Sequence, residues 1–183
     1  MRKFLSLAAG CLIFVACNQG TDQKADETTV APATTEAKPQ PAEIADAKYM
    51  DMGKSSISSM SAGNVEGWLA NYADNAVYVW NNGDSLAGKA AIMDYWKKRR
   101  TDVIDSINFT NDIWLPVKVN QPQNDFHLPG VWLLGWYMTS AKYKTGKSMT
   151  QWIHTAMHFN SEDKIDRAIM FLDREPIAKA MKK

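Results

Sequence analysis

Gly63-Asn64-Val65-Glu66-Gly67-Trp68-Leu69-Ala70-Asn71-Tyr72-Ala73-Asp74-Asn75-Ala76-Val77 is the stretch that decides the fold. Asn64 is placed to cap a short helix over Val65 to Tyr72, because its side-chain oxygen can accept from the free N–H groups of the first turn. Gly63 breaks the helix before it. Asp74 caps or turns the chain between helix and strand. Ala76-Val77-Tyr78-Val79-Trp80 is dense in β-formers and stops at the turn signal Asn81-Asn82-Gly83-Asp84. A helix running directly into a strand marks the junction between a helical first half and a stranded second half.

Upstream, residues 46–60 read as a helix with Tyr49, Met50, Ile57 and Met60 available for one face. Downstream, Lys89 to Thr101 is a third helix. Ile92 and Trp96 share a face at i, i+4, and Lys97-Lys98-Arg99-Arg100 close its last turn, where positive charge suits the helix dipole; the run reads as a solvated helix end, with an anionic ligand as the other reading. Strands follow. Ile107 to Val119 alternates loosely, with Phe109, Ile113 and Leu115 on one parity and Trp114 on the other. After a polar loop over 120–129, Val131 to Tyr143 and Ser148 to Phe159 make a long hairpin about Lys144-Thr145-Gly146-Lys147. Asn160 to Lys164 turns into a strand over Ile165 to Leu172. A last helix runs from Pro176 to Met181, with proline at its first position. Helices first and an antiparallel sheet after them is an α+β pattern.

Three segments carry a resemblance to the nuclear transport factor 2-like superfamily, and within it to the SnoaL-like group. They are the quoted stretch, Leu86-Ala87-Gly88-Lys89-Ala90-Ala91-Ile92, and Lys164-Ile165 with Phe171-Leu172-Asp173. These are marks of fold rather than of chemistry. The resemblance implies N-terminal helices packed on a strongly curved, mainly antiparallel sheet, a cone with a pocket at its open end. It also implies a homodimer, since relatives often pair through the outer sheet face. Tyr78, Trp80, Tyr95, Trp96, Trp114 and Trp136 are the expected pocket walls, against the alternative that these rings simply fill the core.

Ketosteroid isomerases in this superfamily use a strand Asp as general base. The matching position here is Trp80, and an indole cannot take a proton from carbon. Asp173 matches the terminal Asp of the family's last strand, and SnoaL-like cyclases use an Asp as acid/base, so Asp173 is one catalytic candidate. Its other reading is a cap for the following turn. His154 is the second catalytic candidate. It shares strand parity with Trp152, Ala156 and His158, opposite Ile153, Thr155, Met157 and Phe159. That places both histidines on the outer sheet face or His154 in the pocket, depending on which parity faces the core. Two imidazoles about 13 Å apart on one strand do not share a metal, and neither metal nor cofactor is expected. Tyr78, Tyr95 and Gln151 are further hydrogen-bond donors for a bound oxygen.

Twenty-one basic and 20 acidic residues leave a net charge of +1, which gives no long-range attraction to a phosphate backbone and no support for a nucleic-acid role. Both cysteines, Cys11 and Cys17, lie near the start. Met1-Arg2-Lys3 followed by an apolar run to Ala16 describes a secretory signal. At about thirteen apolar positions it is shorter than the roughly twenty that a membrane span needs. A cysteine after Val15-Ala16 resembles the lipobox of bacterial lipoproteins, which implies cleavage before Cys17 and acylation of it. Cys11 is an alternative lipobox cysteine, and an ordinary secretory signal is the third reading. Asn18 in place of an Asp favours the outer membrane of a Gram-negative cell. The expected organisation is a signal peptide over 1–16, the lipid-anchor Cys17 with a disordered tether over 17–45, and one SnoaL-like domain over 46–183. Three functions follow from the sequence: an extracytoplasmic binder of a small, mostly apolar molecule; an isomerase, dehydratase or cyclase using Asp173 or His154; or a protein-interaction module using the outer sheet face.

Overall fold

The tight turns of the second half and its long β-rich runs build one seven-stranded sheet in the computed structural model, which describes residues 40–124 and 127–182. The strands are β1 (Ala42–Ile44), β2 (Tyr72–Trp80), β3 (Ser85–Ala87), β4 (Ile104–Val119), β5 (Gly130–Tyr143), β6 (Ser148–Phe159) and β7 (Ile165–Phe171). Their order is β1-β4-β5-β6-β7-β2-β3, antiparallel throughout except where β2 runs parallel to β7. Helices α1 (Lys48–Ser61), α2 (Val65–Trp68) and α3 (Lys89–Asp102) lie against one face, and α4 (Arg174–Met181) follows the last strand. This is the expected α+β architecture with a curved, mainly antiparallel sheet.

Asn64 caps α2 as expected, accepting from the Gly67 N–H at 2.8 Å. The helix is one turn long, and the chain is already in β2 at Tyr72. The last helix also starts earlier than expected, at Arg174, so Pro176 sits inside its first turn. β1 falls within the stretch expected to be disordered tether. Its side chains are all exposed, but its backbone pairs with Val117–Val119 of β4, and Lys118 bonds Glu43 at 2.9 Å. An edge strand is held by backbone hydrogen bonds, so polar composition alone did not reveal it. The expected signal peptide over 1–16, the expected lipid-anchor Cys17 and the rest of the expected tether lie outside the described residues.

Alternation is clean on β5. Leu133, Gly135, Tyr137, Thr139, Ala141 and Tyr143 point to the helices, and the even-numbered residues point away. β4 alternates only in halves. Its register against β5 shifts between Thr110 and Ile113, and Asn111 sits at φ 56°, the left-handed region that asparagine tolerates. Ile107 and Phe109 face the core before this bulge. After it Trp114 is buried while Ile113 and Leu115 are exposed. The Phe109/Ile113/Leu115 face read from the sequence is therefore split, because one extra residue inverts all that follows.

The Trp114 indole lies where two glycines leave room. A Cβ on Gly53 of α1 would approach the ring at 2.9 Å, and one on Gly135 of β5 would overlap it. Its Nε1 donates to Asp112 at 2.7 Å. Trp114 thus joins helix, bulge and sheet at the centre of the core.

Candidate functional site

Helix α3 presents Ile92, Trp96 and Arg99 inward at i, i+4, i+7. Trp96 meets Trp68 of α2 at 5.4 Å and Tyr78 of β2 at 6.2 Å, and Trp80 packs on Tyr78 at 4.9 Å, all with near-perpendicular rings. This edge-to-face cluster cannot close completely against the curved sheet. Between them is a cavity with about 90 Å³ of space open to the centre of a water molecule. At about 30 Å³ per water, that is room for about three waters. The helices contribute Met60, Trp68 and Trp96, and the sheet floor contributes Trp114, Tyr137, Ile153 and Met157.

Arg99 is the one charged residue among the described residues lining this space. Among the described residues no carboxylate, histidine or lysine side chain lines it. The polar groups are hydroxyls and one indole N–H. Burial pushes the phenols of Tyr72, Tyr78 and Tyr137 well above the ordinary tyrosine range, so they stay protonated and available as donors. Thr139 is 1 % exposed, and its Oγ1 has no hydrogen-bond partner; nor does the buried Trp96 Nε1. Both residues line the cavity. A wider, open groove of about 570 Å³ adjoins it, sharing Trp80, Trp96, Arg99, Leu172 and Ile177, and bounded by α4.

Of the expected pocket walls, Tyr78, Trp80, Trp96 and Trp114 line the cavity. Tyr95 does not; it lines the adjoining groove, packed on Trp80 at 5.3 Å. Trp136 does not either. It is an even-numbered residue of β5 and lies on the outer face, stacked on His154 at 4.7 Å.

Neither catalytic candidate reaches the cavity. Asp173 is exposed and caps α4, accepting from the Glu175 N–H at 2.8 Å. Its backbone exchanges two hydrogen bonds with the Gln151 side chain, each 3.0 Å, which also occupies Gln151. His154 is on the outer face, its Nδ1 donating to the carbonyl of Gly135 at 3.0 Å. His158 is buried on that same face, with Asp166 Oδ1 at 2.6 Å from Nδ1 and the Pro129 carbonyl at 2.9 Å from Nε2. Among the described residues no group of three or more metal-ligating side chains converges.

The residue that sequence reasoning missed is Arg99. The Lys97–Arg100 run reads as a solvated helix end, yet Arg99 falls on the Ile92/Trp96 face, and that periodicity is the available signal.

No protein-family model matches the sequence, and no curated protein matches it. Solved structures do match in fold. A nuclear transport factor 2-like protein of unknown function from Burkholderia pseudomallei aligns with a TM-score of 0.61 at 12% identity, over 75% of this chain and 100% of that one. A candidate polyketide cyclase from Xanthomonas campestris pv. campestris aligns at 0.57 and 12% identity, over 73% and 96%. A candidate isomerase from Bacillus subtilis aligns at 0.56 and 16% identity, over 74% and 96%. The chain has the nuclear transport factor 2-like fold, and at these identities the likeness concerns the fold alone.

Proposed function

We propose that this chain is a lipid-anchored extracytoplasmic domain that binds a small, largely apolar molecule in the cavity between α1–α3 and the sheet. The observation that carries the proposal is the lining: aromatic and aliphatic walls with a few donors and no carboxylate or imidazole. General acid/base catalysis needs a titratable group within hydrogen-bond reach of the reacting atom. Asp173 and His154 are both engaged elsewhere, so an isomerase, dehydratase or cyclase mechanism through either finds no support in their positions. The anchor at Cys17, and with it the outer-membrane location, rests on the N-terminal sequence.

The outer sheet face supports a homodimer as part of this reading. Ile113, Trp136, His154 and Phe171 stand in register across β4, β5, β6 and β7, and Leu115, Leu134, Ala156 and Ile169 form the next row. At one end Leu128 covers Trp132, whose Nε1 donates to the Leu128 carbonyl. At the other end Ile113 is 58 % exposed, Trp152 49 % and Phe171 45 %. An uncharged apolar surface is complementary to itself, as a two-fold interface requires, and a second copy is the occupant we assign.

The binding reading is tested by thermal denaturation of the full chain in detergent against a panel of one-ring compounds. A bound compound at a hundredfold excess over Kd adds about 2.7 kcal/mol. A panel in which nothing raises the melting temperature contradicts the reading.

A further inference from the structure

We infer that the ligand is a small monocarboxylate whose acid group is held by Arg99 at the junction of cavity and groove, with a single ring or an apolar body of similar size lodged against Trp80 and Trp96, which line both spaces. The inference rests on the cavity being a ligand site and names the class of ligand that site takes.

Arg99 is partly buried, and its guanidinium has no carboxylate partner among the described residues: it lies 5.6 Å from the Tyr95 ring centroid and 3.9 Å from the Met181 sulfur. Lys48, Lys97, Lys118 and Arg174 are each paired with a carboxylate, whereas among the described residues Arg99 and its neighbour Arg100 are not. Arg100 has buried Nε and Nη1 atoms without a hydrogen-bond partner but does not line the cavity, so Arg99 is the cation that faces it. A guanidinium facing an apolar cavity with no counter-charge is half of an ion pair. It lines both the cavity and its adjoining groove, so it stands where the two meet.

The groups around Arg99 are donors. Trp96 Nε1 can only donate, and it has no partner. The Tyr78 and Tyr143 phenols feel the Arg99 charge and are kept protonated by burial, the larger effect in each. A ligand rich in acceptors satisfies them all.

Among anions, one cation matches one negative charge; a phosphate dianion would leave charge unpaired in an apolar space, at high cost. A planar carboxylate also fits the guanidinium fork, with two parallel hydrogen bonds. Size places the rest: at about 90 Å³ the cavity alone is smaller than the roughly 150 Å³ that takes a benzene ring, so a one-ring body extends from it into the adjoining groove.

The test is calorimetric titration of the full chain in detergent with benzoate, phenylacetate and cyclohexanecarboxylate, each beside a neutral partner: benzyl alcohol, 2-phenylethanol and cyclohexylmethanol. The acids are expected to bind about tenfold or more tighter than their partners, the worth of a charge-assisted hydrogen bond. Arg99→Met, which keeps the aliphatic stem, should erase that preference while still binding the alcohols, and Arg99→Lys should restore part of it. Should Arg99→Met fail to fold, the wild-type preference must still decline as pH falls through the acids' own titration. Alcohols binding as well as acids, with Arg99→Met unchanged, overturns the inference and leaves the binding reading intact. If neither series binds, both fail.

Discussion

His154 stacks on Trp136 with ring centroids 4.7 Å apart and planes 23° apart, on the sheet face away from the cavity. Phe171 stacks on the other side of the imidazole at 5.3 Å. The three rings span β5, β6 and β7 as one row of the face proposed to pair with a second copy. In a dimer through this face, Ile113→Arg or Trp152→Glu puts an unpaired charge in the buried contact, which costs several kcal/mol. Sedimentation equilibrium should give two protomers for the wild type and one for either variant. A wild type that sediments as a single protomer at all concentrations refutes the dimer.

Trp114 makes a second prediction. Its ring occupies the space that side chains on Gly53 and Gly135 would need. Gly135→Ala forces an added methyl into a filled core and should cost about 1–3 kcal/mol. Urea denaturation reads this as a lower midpoint at unchanged slope. A midpoint equal to the wild type would show that the indole has room to move, and that the bulge at Asn111 does not fix it.

Much of this was legible in the sequence because the elements are long and regular. The hairpin over 131–159 follows from alternation about Lys144–Lys147, and the structure places it within one residue. What escaped has local causes. β3 is three residues long and directly follows a turn signal. The bulge at Asn111 reverses parity without altering composition, so Ile113 and Leu115 were assigned to the face of Phe109. The histidine parity was read correctly, but which parity faced the core depended on the helices. Trp136 and Tyr95 belong to the expected aromatic set by type, and neighbours on other strands and helices place them outside the cavity. Arg99 was hidden in a run of four basic residues, three of which are not in the cavity.

The buried phenols set an alkaline limit. The folded pKa values of Tyr72, Tyr78 and Tyr137 are raised above the ordinary 10.0 by burial. Their contribution is therefore complete below pH 10.0 and is lost as pH rises toward the raised folded values, because the unfolded chain ionises first. The tyrosinate absorbance of these three should lag behind that of free tyrosine and then appear with loss of ellipticity. All three titrating near pH 10.0 in a chain that is still folded would contradict the burial.

The anchor assignment is tested in cells. Cys17→Ser should abolish incorporation of labelled fatty acid and release the protein from the membrane fraction, while Cys11→Ser should leave both unchanged. The reverse pattern would move the lipobox to Cys11, and label retained in both variants would refute the anchor.

The central claim is that the cavity beneath Trp68 and Trp96 takes a small apolar body. Met60, Met149, Met157 and Met170 line it, whereas Met138 and Met181 do not. Methyl spectra of methionine-labelled protein, assigned by single Met→Leu changes and titrated with benzyl alcohol, read the site directly. Saturable shifts confined to the four lining methyls are the predicted result. Shifts at Met138 or Met181 alone, or none at any methyl, would contradict it.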